Sequence, residues 1–265
     1  MKNELITIGP FTVYGYGTMI ALGVIVAFIT AEYRAKKQNL QYERISVLAI
    51  WCLVGGILGA KLLYYITEIK EIIANPRLLL IISDGFVVYG GIIGGILAGF
   101  LFCRKYQLNF LKYFDLVMPS IALAQGFGRL GCFLAGCCYG IETKSPLGII
   151  FHESHYAPNG IRLIPTQLMS SALDFLHFII LIILAKRVKS DGQIAGFYLV
   201  FYSVGRFILE FFRGDLVRGS VGSLSTSQFI STFLFAAGCL IVIIRSRYPR
   251  TETEELKSDE PEQKE

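Results

Sequence analysis

Charge is scarce in this chain. Only 17% of its 265 residues are charged, against about 25% in a typical soluble domain. Histidine (three), methionine (four) and tryptophan (one) are sparse as well. No long polar segment separates the apolar runs before residue 249, which argues against a water-soluble domain. The net charge of +5 lies in short Lys/Arg clusters after apolar runs, not on one broad face, so no nucleic-acid partner is expected. A cleaved leader is not expected either. The first apolar run, Phe11 to Ala31, is too long for one and is followed by Arg34, Lys36 and Lys37.

What is present is apolar: 54% of residues are hydrophobic and the mean hydropathy is +0.56. Runs of about 18 or more apolar residues can each cross ~30 Å of hydrocarbon. Seven such runs stand near 11–32, 45–66, 86–103, 114–133, 168–185, 193–212 and 226–244. The fourth is interrupted by Pro119, Gln125 and Arg129. The expected fold is therefore an all-α polytopic membrane protein with about seven transmembrane helices. Arg34, Lys36, Lys37, Arg44, Arg104, Lys105, Lys112 and Lys186 belong to one side, which carries 15 basic residues; the other side carries 7, among them Lys2 and Arg218. The positive-inside rule places the N-terminus outside and the C-terminus in the cytoplasm. Residues 1–248 form the expected membrane domain. Residues 249–265 hold seven acids and read as a disordered tail. The outer loop 141–162 reads either as a flap over a site or as a connector. Gly55/Gly59, Gly90/Gly94 and Gly91/Gly95/Gly99 form rows of small residues at a spacing of four, suited to close helix packing.

Ionisable residues within spans need a partner or a polar cavity. They are Lys61, Arg129, Asp174, Arg206 and Glu210. On a helical wheel Tyr202, Arg206, Glu210 and Arg213 share a stripe about 80° wide. Arg206 and Glu210 form an i,i+4 pair, read either as structural glue or as part of an anion site. Gln125, Arg129, Cys132 and Gly136 share a second stripe, and no acid accompanies Arg129 on that run. Two arginines against one acid would leave a net positive cavity, and a planar guanidinium suits a phosphate.

Cys52, Cys103 and Cys239 stand singly in apolar runs and read as packing residues. Cys132, Cys137 and Cys138 cluster. Their spacing is not the C-x2-C of a zinc site, so no metal or cofactor is expected. A disulfide from Cys132 to Cys137 or Cys138, the favoured reading, and a functional thiol both remain open. His177 is expected to be hydrogen-bonded within the bundle, and His152 and His155 to lie in a solvated loop.

The run Gly128-Arg129-Leu130-Gly131-Cys132-Phe133-Leu134-Ala135-Gly136-Cys137-Cys138-Tyr139-Gly140 resembles the signature of prolipoprotein diacylglyceryl transferases, G-R-x-G-N-F-x-N-G-E-x-x-G. Other segments follow in the family's order: Tyr16-Gly17, Gly59-Ala60-Lys61-Leu62-x-Tyr64 and Tyr89-Gly90-Gly91. After these come Pro165-Thr166-Gln167-Leu168, Gly205-Arg206-Phe207-x-x-Glu210 and Leu224-Ser225-x-x-Gln228. The resemblance implies transfer of a diacylglyceryl group from phosphatidylglycerol to the lipobox cysteine thiol in a prolipoprotein signal peptide. It also implies release of glycerol phosphate and residence in the bacterial inner membrane. On it rest Tyr16, Tyr89, Cys132, Arg206 and Glu210 as expected catalytic residues. Arg129, Gly131, Gly140, Gln167 and Gln228 are expected to bind substrate. Tyr89 replaces the family's usual His, Cys132 its Asn, and Cys137 its Glu, so the usual base is missing. A same-fold enzyme using another lipid or acceptor, or a lipid-binding or transport protein, is the alternative.

Overall fold

The computed structural model describes residues 4–8, 11–80, 85–215 and 219–248. The acidic tail, Lys2 and Arg218 lie outside them. Among the described residues there are eight α-helices: α1 (Gly15–Lys37), α2 (Ile45–Thr67), α3 (Ile69–Ala74), α4 (Val88–Lys105), α5 (Phe110–Ala135), α6 (Thr166–Ala185), α7 (Gln193–Glu210) and α8 (Thr226–Ser246). Three short hairpins accompany them, pairing β1 (Glu4–Ile8) with β2 (Phe11–Tyr14), β3 (Ile149–Ile150) with β4 (Arg162–Leu163), and β5 (Ser220–Val221) with β6 (Leu224–Ser225).

Among the described residues six helices, all but α3 and α7, are long and apolar enough to cross a membrane. The protein is thus a multi-pass membrane protein. Large side chains such as Leu58, Val88 and Ile93 lie mostly exposed, as expected where lipid rather than water is the solvent. The first apolar run is not helical throughout. Its opening residues, Phe11–Tyr14, form a strand paired with β1, because aromatic and β-branched residues favour extended backbone. The helix then begins at Gly15.

The chain divides into two compact units, one of residues 32–113 and the other of residues 1–31 and 114–265. In the first unit α2 packs on α4 backbone to backbone. A Cβ at Gly59 would collide with the Gly90 carbonyl oxygen and come 2.9 Å from the Gly94 Cα. Only glycine permits that approach, so these rows have a structural role. Cys103 is buried there and Trp51 stacks edge-on against Phe102. Lys61 lies over the rings of Tyr64, Tyr65 and Phe86 at 5.2 Å.

α5 runs unbroken through Pro119 for 26 residues, the second unit holding it from Phe114 onward, so the polar residues that interrupt its apolar run do not break it. Gln125 is held by the Tyr198 hydroxyl at 2.9 Å. Asp115 accepts from the Gly192 and Ala195 amides at 2.7 and 2.9 Å, so α5 caps the start of α7 with a negative charge. Met118, Ala122, Leu181, Ile194 and Ala195 form the core between α5, α6 and α7. The capping box of Ser225 and Gln228 starts α8.

Candidate functional site

Three helices of the second unit bring their polar residues together. A cavity of about 270 Å³ is lined by Arg129 from α5, Asp174 and His177 from α6, and Tyr202 and Arg206 from α7. The two arginine stripes inferred from separate helical wheels thus meet at one place.

Their pairing differs from the sequence expectation. Arg129 does face an acid: its Nε lies 4.0 Å from Asp174 Oδ2. A wheel drawn on α5 alone cannot show a carboxylate supplied by α6. At 4.0 Å the contact is electrostatic and is not a hydrogen bond. Among the described residues the Arg129 guanidinium has no hydrogen-bond acceptor, which leaves its donors for a ligand. Arg206 is held more firmly. Its Nη1 lies 2.8 Å from Glu210 Oε2 and its Nη2 donates to Ser227 Oγ at 2.8 Å. The Glu210 oxygen, in ionic contact but not aligned with that donor, has no hydrogen-bond partner among the described residues. The excess of arginine over acid is therefore smaller than expected: Asp174 lines the cavity with the two arginines, and Glu210 pairs with Arg206.

Arg213 also departs from its expected place. The helix ends at Glu210, and Arg213 turns to Asp215, donating from Nε at 2.8 Å and Nη2 at 2.6 Å. That bidentate clasp holds its guanidinium protonated against the effect of burial, with the Cys138 thiol adding to it. His177 is not hydrogen-bonded as expected. Its buried Nε2 has no hydrogen-bond partner among the described residues, and the ring stacks on Tyr198 at 5.0 Å. Sequence reasoning did not place His177 at the site. An ionisable ring within an apolar span was the only signal available.

One turn beyond Arg129 stands the cysteine cluster. Among the described residues no disulfide joins Cys132, Cys137 or Cys138, and their sulfurs all lie within 4.8 Å of one another. The favoured disulfide is not formed. The chain reaches this arrangement by leaving α5 through Gly136 at φ +79° and Cys138 at φ +61°. The Cys137 amide donates to the Cys132 carbonyl at 3.1 Å, closing the helix end. Hydrogen bonds from Cys132 and Cys137, then the nearby Arg213 guanidinium, pull the Cys138 thiol well below the usual range.

The other expected site residues fall into place around this helix end. Gln167 is buried, and its Nε2 donates to the Cys137 carbonyl at 2.8 Å. Thr166 Oγ1 donates to the Cys138 carbonyl at 2.8 Å. Gly140 bridges to Arg213, and Gly131 lets the backbone and ring of Tyr16 lie against α5. Tyr16 lies in electrostatic reach of Arg129 and all three cysteines. Gln228 is buried as the capping partner of Ser225, accepting from its amide at 3.1 Å. Tyr89 stands at the start of α4, in the first unit, with its side chain half-exposed. The 141–162 loop packs Phe151 and Ala157, together with the adjoining Leu163, onto Phe133 and Tyr139, with His152 and His155 exposed.

The family model described as "Prolipoprotein diacylglyceryl transferase" matches residues 3–244. A phosphatidylglycerol–prolipoprotein diacylglyceryl transferase of Clostridium tetani is 49% identical over 241 residues, covering 91% of this chain and 96% of the relative. A second such enzyme, from Clostridium perfringens, is 46% identical over 256 residues, covering 96% and 100%. One from Finegoldia magna is 35% identical over 257 residues. The chain therefore belongs to the prolipoprotein diacylglyceryl transferase family.

Proposed function

We propose that this protein transfers a diacylglyceryl group from phosphatidylglycerol to the lipobox cysteine thiol of a prolipoprotein. The product is a thioether, and glycerol phosphate departs. The observation that carries this reading is the meeting of Arg129 and Arg206 on one cavity. A phosphodiester that leaves as a monoester gains negative charge in the transition state. Fixed guanidinium groups in a water-poor site stabilise such charge most effectively. The unmatched donors of Arg129 suit the phosphate oxygens. Glu210 and Ser227 hold Arg206 in place, and Asp174 makes the empty cavity tolerable.

Tyr16 and Cys132 stand beside this anion site, where the acceptor thiol would enter. Gln167 positions the turn that carries Cys137. Gly131 and Gly140 permit the close backbone approaches that shape the site, and Gln228 shapes the start of α8. Tyr89, in the position the family gives to a His, is kept as a proposed catalytic residue. The test is direct. Purified protein, phosphatidylglycerol and a lipobox peptide should give a peptide heavier by one diacylglyceryl group. A peptide with Ser in place of the cysteine should gain nothing. Unchanged cysteine peptide would refute the reading.

The same proposal sets the chain in a bacterial inner membrane with seven spans. The seventh is α7, whose 18 residues reach about 27 Å. Its low hydropathy comes from the site residues it carries. Residues 1–248 form the transferase domain and 249–265 a cytoplasmic tail. The excess of basic residues on one side puts the N-terminus outside. Reporters fused after Lys37 and after Gly222 should report cytoplasm and periplasm respectively. The opposite result would reverse the topology.

A further inference from the structure

We propose that Cys132, Cys137 and Cys138 form a thiolate site for one soft divalent cation of the zinc class, with its fourth position open to the acceptor thiol. The second half of this claim rests on the transferase reading; the first half does not.

The geometry comes first. Three sulfurs within 4.8 Å of one another are close to what a tetrahedral centre requires. With zinc–sulfur bonds near 2.3 Å, the ligand sulfurs stand roughly 3.8 Å apart. Each pair closes by no more than about an ångström. Metal spacing rules in sequence count residues along a chain. Here the left-handed turn at Gly136 and Cys138 folds an uncommon spacing into a compact triad.

The backbone that presents the triad is already fixed. Gln167 and Thr166 donate from the start of α6 to the carbonyls of Cys137 and Cys138, each at 2.8 Å. The Cys137 amide is tied to Cys132. Such outer partners are what orient metal ligands in known sites. Charge also balances. Three thiolates and a divalent cation sum to one negative charge, and Arg213 and Arg129 stand in electrostatic contact with Cys138.

Three protein ligands and one vacancy are the pattern of a reactive centre rather than a purely structural one. The chemistry that fits is thiol alkylation. An acceptor cysteine entering the fourth position loses its proton to solvent and binds as thiolate. Its sulfur attacks the glyceryl carbon of phosphatidylglycerol, and the carbon–oxygen bond to phosphate breaks. The electron pair leaves on glycerol phosphate beside the arginines. No oxidant or reductant is needed. This chain lacks the family's His and signature Glu, and the cation would replace the base that deprotonates the thiol.

The test uses full-length protein in detergent with reductant and no added chelator. Zn2+ is counted by elemental analysis, and Cd2+ replaces it to give an ultraviolet thiolate-to-metal band. One metal per chain is expected. Cys132→Ser, Cys137→Ser and Cys138→Ser should each weaken binding by at least the roughly 10–100-fold that loss of an outer partner alone costs. The triple serine variant should bind none, with its unfolding midpoint measured as a control for folding. Reduced parent protein that binds no stoichiometric Zn2+, or a folded triple variant that binds like the parent, would overturn the site. A lipobox peptide should then strengthen the Cd2+ band, while its serine analogue leaves it unchanged. A band indifferent to the cysteine peptide overturns the open fourth position. A strengthened band without any diacylglyceryl product supports the site and sinks the transferase reading instead.

Discussion

Arg206→Lys should lower turnover by about 10²–10³-fold, the scale expected when one aimed donor to developing charge is lost. Arg206 uses two ends of its guanidinium at once, Nη1 toward Glu210 and Nη2 to Ser227, each at 2.8 Å. A lysine keeps the charge but offers a single compact ammonium on a flexible stem. It cannot hold both partners and still present donors to a phosphate. Turnover with phosphatidylglycerol and a lipobox peptide is the readout, with the unfolding midpoint as control. A lysine variant with near-parental turnover would show that charge alone suffices, and the planar fork would lose its role.

The second large effect concerns Glu210. Its side chain and that of Arg206 are only 9% and 13% exposed. Removing the acid leaves a buried cation without its counter-charge, which typically costs about 3–5 kcal/mol. Glu210→Gln should therefore lose that much stability in detergent, together with activity. The paired variant Arg206→Met with Glu210→Leu removes both charges and should recover most of the stability but none of the activity. This separates the two readings of the pair. If the doubly apolar variant still turns over, the ion pair is only structural glue. If Glu210→Gln is as stable as the parent, the pairing does not hold Arg206.

The helices were legible because lipid demands long apolar runs, and six of them meet that demand in the structure. The start of the first was misplaced. Phe11–Tyr14 is as apolar as a membrane helix, yet it pairs as a strand, and hydropathy does not distinguish the two. Arg129 and Arg206 were legible as site candidates because buried charge is expensive wherever it occurs. Asp174 as the partner of Arg129 was not, since the pairing crosses from α5 to α6 and no single-helix wheel spans two helices. Arg213 failed in the opposite way. The wheel extended α7 past its real end at Glu210, so a residue in the following turn was counted on the stripe.

The cysteine cluster shows a further limit. Three thiols within seven residues in an oxidising compartment favoured a disulfide, but the turn at Gly136 decides where the sulfurs go. With φ at +79°, that position reverses the chain and brings Cys137 and Cys138 back over Cys132. The capping role of Gln228 was readable in principle. Ser225-x-x-Gln228 is the S-x-x-Q pattern of a capping box, and the pair does start α8.

A structure of the protein with bound phosphatidylglycerol tests the central claim most directly. The lipid phosphate should lie in the cavity between α5, α6 and α7, within hydrogen-bonding distance of Arg129 and Arg206 together. A phosphate seated elsewhere, or one held with both arginines still turned only to Asp174 and Glu210, would contradict it.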